Sequence, residues 1–318
     1  MVKDTASITE RVEKFYDKRA SVDHAQMSWK KWELVANQYA SYLETPGKVL
    51  FPGCGMGEVI INLAKQKPSF EYYGIDLSKK TIEIAQQFAI EHNVRVDFKQ
   101  GDYTETLPWP FKFQYIYLLD TLHHAVDSQS ALNNIVHHLE SKGLIYIHLY
   151  GKKCHQRRFE IIEILNILQS VTGNGDERER FDLFVAHEKR KISLKNRIID
   201  VSLKQMWRAL YQVYIRLQHR YTKNILSPSG TYNEFTPAWI DFYCHPNERT
   251  FDVLQTKELL TQAGLELIDI LSIPKNPTLL PESWRPLFKK LDIWSQYRLL
   301  ELYSCKGQSI KLLGRKTT

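Results

Sequence analysis

The chain has 318 residues, 43% of them hydrophobic and 25% charged, an ordinary globular composition that excludes disordered, collagen-like and disulfide-scaffold classes. No uninterrupted apolar run approaches the roughly 20 residues needed to span a bilayer, and the opening MVKDTASITERVEKF lacks an apolar signal core, so no membrane span and a cytoplasmic location are expected. The net charge of +7 gathers largely at 189–220 and 306–316, where solvated basic faces are the preferred reading over a nucleic-acid footprint.

Residues 8–45 read as helical, with Phe15, Trp29, Trp32, Leu34, Tyr39 and Tyr42 at mixed three- and four-residue steps, a cap before the first strand. KVLFP (48–52) is a short apolar strand entering a glycine-rich turn, and EVIINLAKQ (58–66) resumes helical periodicity. EYYGID (71–76) is a second strand, LSKKTIEIAQQFAIEHN (77–93) a helix, RVDFKQ (95–100) a third strand and FQYIYLL (113–119) a fourth. SALNNIVHHLE (130–140) is a helix and GLIYIHLY (143–150) a fifth strand. After Tyr150 the alternation stops. Residues 155–222 are helix-compatible apart from VTGNGDE (171–177), and 225–248 read as an aromatic, proline-containing loop. The pattern returns with a helix at 256–264, a sixth strand at 265–273, a helical excursion at 283–303 and a seventh strand at 308–316.

Alternating strands and helices predict an α/β fold, a Rossmann-like, seven-stranded, mainly parallel sheet with an N-terminal helical cap and a large helical insertion. The expected divisions are a cap over 1–45, a core over 46–150, an insertion or lid over 151–250 and a completion of the core over 251–318. Cys54, Cys154, Cys244 and Cys305 are scattered without a CxxC pair, which points to free thiols.

The chemistry concentrates in VLFPGCGMGE (49–58), where Gly53, Gly55 and Gly57 occupy a turn between strand and helix. Glycine there permits positive φ and close backbone approach to a ligand, while the following helix directs N–H groups into the same space. A dinucleotide fingerprint would place a third glycine at Glu58, and an acid there repels a pyrophosphate, so NAD and FAD are disfavoured. Alone, such a turn is also compatible with a purely structural bend. Asp76 ends the second strand, where an acid accepts hydrogen bonds from ribose hydroxyls. Gly101-Asp102-Tyr103 follows the third strand, Asp120 ends the fourth, and all four strand ends lie on one carboxyl edge.

Together PGCGMGE, YYGIDLS, GDY and LDTLHHAVD resemble the ordered motifs of the class I S-adenosylmethionine (SAM)-dependent methyltransferases, over roughly residues 45–150. The resemblance implies that Gly53, Cys54, Gly55 and Gly57 meet the methionine part of SAM. It likewise implies that Asp76 with Leu77 meets the ribose, Asp102 with Tyr103 the adenine, and that Asp120 borders the same site. Pro52 stands where an acid commonly precedes the first glycine of this family. FYCHPNERTFDVLQTKELLTQAGLELI (242–268) and QYRLLELYSCKGQSIKLL (296–313) resemble, more loosely, a bacterial subgroup with a helical insertion after the fifth strand.

His123 and His124 follow the fourth strand, and His124 is the preferred general base, although a histidine pair at this place also serves structure. His148 and Tyr150 share one side of the fifth strand and, with Tyr16, Trp239, Phe242, Tyr243 and His245, are candidates to line an acceptor pocket, against packing as the alternative. His137 and His138 read as surface residues. No metal is expected, since carboxylates do not cluster after the fourth strand, and no N/D-P-P-Y/F motif stands there. The expected reaction is methylation of an oxygen or nitrogen of a small molecule or modified peptide, with S-adenosylhomocysteine (SAH) as product. The alternatives are an RNA methyltransferase using Arg157, Arg158, Lys189, Arg190, Lys191, Lys195 and Arg197 on phosphates, and a catalytically inactive SAM-fold partner protein.

Overall fold

The computed structural model describes residues 5–25, 29–172, 180, 182–184, 243–304 and 309–317. In chain order the elements are α1 (Thr5–Ala25), α2 (Trp29–Ala40), β1 (Lys48–Pro52), α3 (Glu58–Gln66), β2 (Glu71–Asp76), α4 (Lys79–Glu91), β3 (Val96–Gln100) and β4 (Phe113–Leu119). They continue with α5 (Ser128–His137), β5 (Leu139–Leu149), α6 (Lys152–Thr172), α7 (Val253–Gln262), β6 (Leu265–Ile270), α8 (Arg285–Phe288), α9 (Ile293–Ser304) and β7 (Ile310–Lys316). One sheet joins all seven strands in the order β3-β2-β1-β4-β5-β7-β6. β1 to β5 pair in parallel, and β7 is antiparallel to both of its neighbours. The expected seven-stranded, mainly parallel α/β sheet is borne out.

Strand alternation sorts the core onto the two faces of the sheet. Leu50, Ile116, Leu118, Ile145, Ile147 and Leu312 join α5, α7 and α9 in one cluster. Val49, Phe51, Tyr72, Tyr117, Tyr146 and Leu313 join α2, α3 and α4 in the other. This second face is rich in tyrosine, and its buried hydroxyls find acceptors: Tyr117 donates to the Tyr39 carbonyl at 2.9 Å and Tyr72 to the Leu63 carbonyl at 3.1 Å. An unpaired hydroxyl would make that burial unfavourable.

Strand β5 begins four residues earlier than the sequence pattern predicts. Its pairing jumps from Phe113↔Leu139 to Tyr115↔Leu144, and Lys142 at φ 61° takes up the extra length. A bulge thus continues a ladder across a segment whose alternation is broken. The N-terminal stretch read as helical contains the two helices α1 and α2.

The chain divides into two compact units, 1–156 with 246–318, and 157–245. In the second unit Ile161, Leu165 and Phe184 make a small core. Arg180 donates to the side-chain oxygens of Asn166 and Gln169, each at 2.7 Å. Trp239, Phe242, Lys189, Arg190, Lys191, Lys195 and Arg197 lie outside the described residues, as does the greater part of the 225–248 loop.

Helix α5 begins at a side-chain cap, Asp127, whose carboxylate accepts from the Gln129 and Ser130 backbone N–H groups. The Ser130 hydroxyl, then its backbone N–H, holds the Asp127 carboxyl below its ordinary value. Asp127→Ala is expected to cost about 1 kcal/mol in denaturant unfolding. With a depressed folded value, the cap's charge-dependent contribution is present above the unfolded value of about 3.9 and lost as pH falls through the folded one. A variant as stable as the wild type at pH 7 would contradict the cap.

Candidate cofactor and acceptor site

The turn after β1 is built from three left-handed glycines, Gly53 (φ 64°), Gly55 (φ 55°) and Gly57 (φ 78°). They serve different ends. A Cβ on Gly53 would meet Thr121 Cγ2 at 2.3 Å, and one on Gly57 would meet the Phe98 ring at 2.6 Å. A Cβ on Gly55 would meet nothing nearer than Glu58 Oε2 at 3.9 Å. Gly53 and Gly57 therefore permit packing of the turn against β3 and β4, while Gly55 leaves an open approach to the backbone. Gly57 is also the N-cap of α3, which has no side-chain cap, so its leading N–H groups have no capping side chain to satisfy them.

Asp76 locks this turn to β2. Its Oδ2 accepts from the Gly55 N–H at 2.9 Å and its Oδ1 from the Ser78 N–H at 3.0 Å. Burial pushes its carboxyl up, and the two backbone donors pull it back. The Cys54 N–H donates to the Ile75 carbonyl at 3.0 Å, a second tie from turn to strand. Cys54 is a free, half-buried thiol that burial raises well above its ordinary range, so it is a packing residue of the turn rather than a thiolate.

A contact that the sequence did not reveal comes from α1. Asp17 Oδ1 accepts from the Ser78 hydroxyl at 2.6 Å and from the Lys80 N–H at 3.3 Å. Gln100 Nε2 donates to Glu13 Oε1 at 3.4 Å and to the Leu77 carbonyl at 3.2 Å. The cap helix is thus fastened beside Asp76 through residues carrying no motif signal of their own. Tyr16, in the same helix, is half-buried, with the Arg19 guanidinium 5.8 Å from its ring centre.

At the end of β3, Asp102 accepts from the Thr104 N–H at 2.8 Å. The Tyr103 ring packs on the core and its hydroxyl donates to the Thr121 carbonyl at 3.1 Å, so Tyr103 ties the β3 loop to the β4 loop. At the end of β4, Asp120 has φ 56° and a half-exposed side chain. Its Oδ2 lies 2.9 Å from His148 Nδ1 on the neighbouring strand.

His123 and His124 stand on a single 3-10 turn, Leu122–His124. His123 is fully buried and stacked on Tyr150 at 3.7 Å between ring centres, and Tyr150 lies 4.3 Å from the His155 ring. His124 Nδ1 is 3.2 Å from the Asn247 carbonyl and 3.9 Å from Glu248 Oε1. The segment containing these partners is clasped to the edge. Asn247 Nδ2 donates to the His124 carbonyl at 2.8 Å, the Arg249 N–H to the His123 carbonyl at 3.1 Å, and the Phe251 N–H to the Tyr150 carbonyl at 2.9 Å. Asn247, Glu248 and Arg249 escaped the sequence reading because backbone carbonyls at a strand edge leave no side-chain pattern. In the second unit, Tyr243 packs on Phe184 at 4.9 Å and its carbonyl accepts from Arg180, while His245 is half-buried. His137 is exposed and His138 half-buried, both at the end of α5.

The donor set fits SAM. Asp17, Glu58, Asp76, Asp102 and Asp120 put carboxylates along one edge, which suits a cofactor with a cationic sulfonium and ammonium and opposes a pyrophosphate. Asp76 keeps lone pairs beyond the two already engaged, and the open side of Gly55 admits a ligand against the backbone.

Residues 44–174 match the family model of a methyltransferase domain. These residues thus carry a methyltransferase domain of the SAM-dependent type. An uncharacterized protein of a Synechococcus species is 24% identical over 261 residues, 80% of this chain and 57% of that one. A ubiquinone biosynthesis O-methyltransferase of Rickettsia akari is 27% identical over 145 residues, 46% of this chain and 55% of that one. This chain thus spans little more than half the length of these two relatives. PKMT2 from Rickettsia typhi in complex with AdoHcy superposes with a TM-score of 0.60 at 16% identity, covering 86% of this chain and 49% of that one, a likeness of fold. Among the described residues no helix is long and apolar enough to cross a membrane.

Proposed function

We propose that this chain transfers a methyl group from SAM to an oxygen or nitrogen atom of a small molecule or a modified peptide. One observation carries the reading. The open glycine turn locked by Asp76 shares a sheet edge with two imidazoles, His124 and His148, whose Nδ1 atoms are already engaged by oxygen. The backbone of 53–57 would hold the methionine part of the cofactor, Asp76 the ribose and Asp102 the adenine amino group. When bound, SAM supplies an electrophilic methyl group on a sulfonium. The chain's own residues then have to align the acceptor, exclude water and take up its proton. The clasp of 247–251 onto the ends of β4 and β5 gives the acceptor side a fixed wall.

Methyl-labelled SAM offered with panels of phenols, amines, peptides and RNA tests this. Label on a small molecule or peptide is the expected result. Label on RNA alone would overturn the acceptor class, and no transfer to any class would favour a non-catalytic partner.

A further inference from the structure

We propose that Asp120 and His148 form the proton-accepting pair of this site, with His148 Nε2 as general base and Asp120 as the carboxylate that orients it. The proposal rests on the methyl-transfer reading above and assigns the base to a residue other than His124.

The pair arises from register. Leu119, the last residue of β4, lies directly opposite His148 of β5, so Asp120, which follows it, comes beside the imidazole. Asp120 turns left-handed, at φ 56°, a conformation that aspartate tolerates better than most side chains. Its Oδ2 lies 2.9 Å from His148 Nδ1. The pair is also adjacent to the cofactor turn, because Thr121 occupies the space where a Gly53 side chain would stand.

A neutral imidazole that donates from Nδ1 to a carboxylate carries its lone pair on Nε2. That atom is shielded from solvent and has no hydrogen-bond partner among the described residues. Buried polar nitrogens are nearly always paired in native proteins, so the geometry points to a partner that arrives with the acceptor. His124 is placed differently: its Nδ1 faces the Asn247 carbonyl, within the clasp that binds 247–251 to the edge. His123 is stacked in the interior.

The neighbours of His148 leave Asp120 as its anionic partner. Tyr146 precedes it by two residues on the same face of β5, and Tyr39 of α2 packs on Tyr146 at 4.9 Å between ring centres. Burial and then the Asp120 charge push the Tyr39 hydroxyl up to about 12, and burial raises Tyr146 as well, so both phenols are neutral at physiological pH. Tyr42, in the turn after α2, packs on Tyr146 and is likewise raised by burial. Lys311 of β7 lies opposite His148 in the cross-strand register and is the cation of the group.

The step balances as follows for a hydroxyl acceptor. Its oxygen lone pair forms the new C–O bond to the methyl carbon while the carbon–sulfur bond breaks and its electron pair stays on sulfur, leaving neutral SAH. The hydroxyl proton passes to His148 Nε2, the imidazolium is held by Asp120, and the proton then leaves to water. An N–H acceptor follows the same course.

The test reads the imidazole directly. Protein carrying 15N-histidine is saturated with SAH and its long-range 15N–1H spectrum recorded against pH, with His148→Gln identifying the signal and Asp120→Asn as the second variant. The expected result is the Nδ1–H tautomer for His148 at pH 8, a preference that weakens in Asp120→Asn. An Nε2–H tautomer in the wild type, or a tautomer balance unchanged in Asp120→Asn, would overturn the proposal. His148→Gln should bind SAH like the wild type, whereas a wild type that does not bind SAH sinks the cofactor reading instead. With any acceptor found by the labelling panel, His148→Gln should lose at least about 100-fold in turnover. Full activity in that variant would also overturn the assignment.

Discussion

Gly53→Ala is expected to destabilise the protein severely, whereas Gly55→Ala keeps most of the fold and loses the cofactor. Both residues are left-handed, at φ 64° and 55°, so each alanine carries a conformational cost of about 1–2 kcal/mol. They differ in what the new methyl meets. At Gly53 it lies 2.3 Å from Thr121 Cγ2 and 2.9 Å from Thr121 Cβ, atoms of a short, branched side chain beside Asp120. Relieving that clash displaces either the turn or the end of β4, an overpacking cost of about 1–3 kcal/mol on top of the first. At Gly55 the methyl enters open space, with Glu58 Oε2 at 3.9 Å as its nearest neighbour, the space read here as the approach of the ligand to the backbone. Denaturant unfolding and SAM titration of both variants separate the two effects. Equal stability losses, or a Gly55→Ala protein that binds SAM normally, would contradict the division of labour within the turn.

Asp76→Ala is expected to weaken SAM binding by about 1–3 kcal/mol and to destabilise the apoprotein as well. The second effect follows because the carboxylate accepts from both the Gly55 and Ser78 N–H groups, which truncation leaves without their acceptor. Gly55 is half-buried and its N–H can regain water, whereas Ser78 is fully buried, so its N–H is left unsatisfied. The sign of the pH dependence is set by burial, which raises the Asp76 carboxyl in the folded state. Between the unfolded value of about 3.9 and the raised folded value, the folded chain holds more protons than the unfolded one. Stability from this group therefore falls as pH rises through that window, while affinity for a cationic cofactor rises. A variant that binds SAM like the wild type would refute the place given to the ribose.

The sheet was legible because its strands are short, apolar and separated by helices of clear period. KVLFP, EYYGID and FQYIYLL begin and end where the pattern puts them. Helix ends shifted where caps decide them, as at Ser78 and Asp252, whose side chains accept from the first turns of α4 and α7. Asp76 and the glycines could be read from spacing because a tight turn and a strand end impose local rules. The links among Asp17, Ser78 and Lys80, the clasp by Asn247 and Arg249, and the pairing of Asp120 with His148 depend on long-range register and backbone acceptors, which one-dimensional periodicity does not carry. His148 was singled out for its side of the strand. Its partner became visible only when Leu119 and His148 were seen to be level.

The central claim is that this sheet edge is built for a cationic adenosyl cofactor, and calorimetric titration of the protein with SAM, SAH and NAD at moderate salt tests it most directly. Saturable binding of SAM and SAH, with none of NAD, is the predicted result; binding of NAD, or of none of the three, would contradict it.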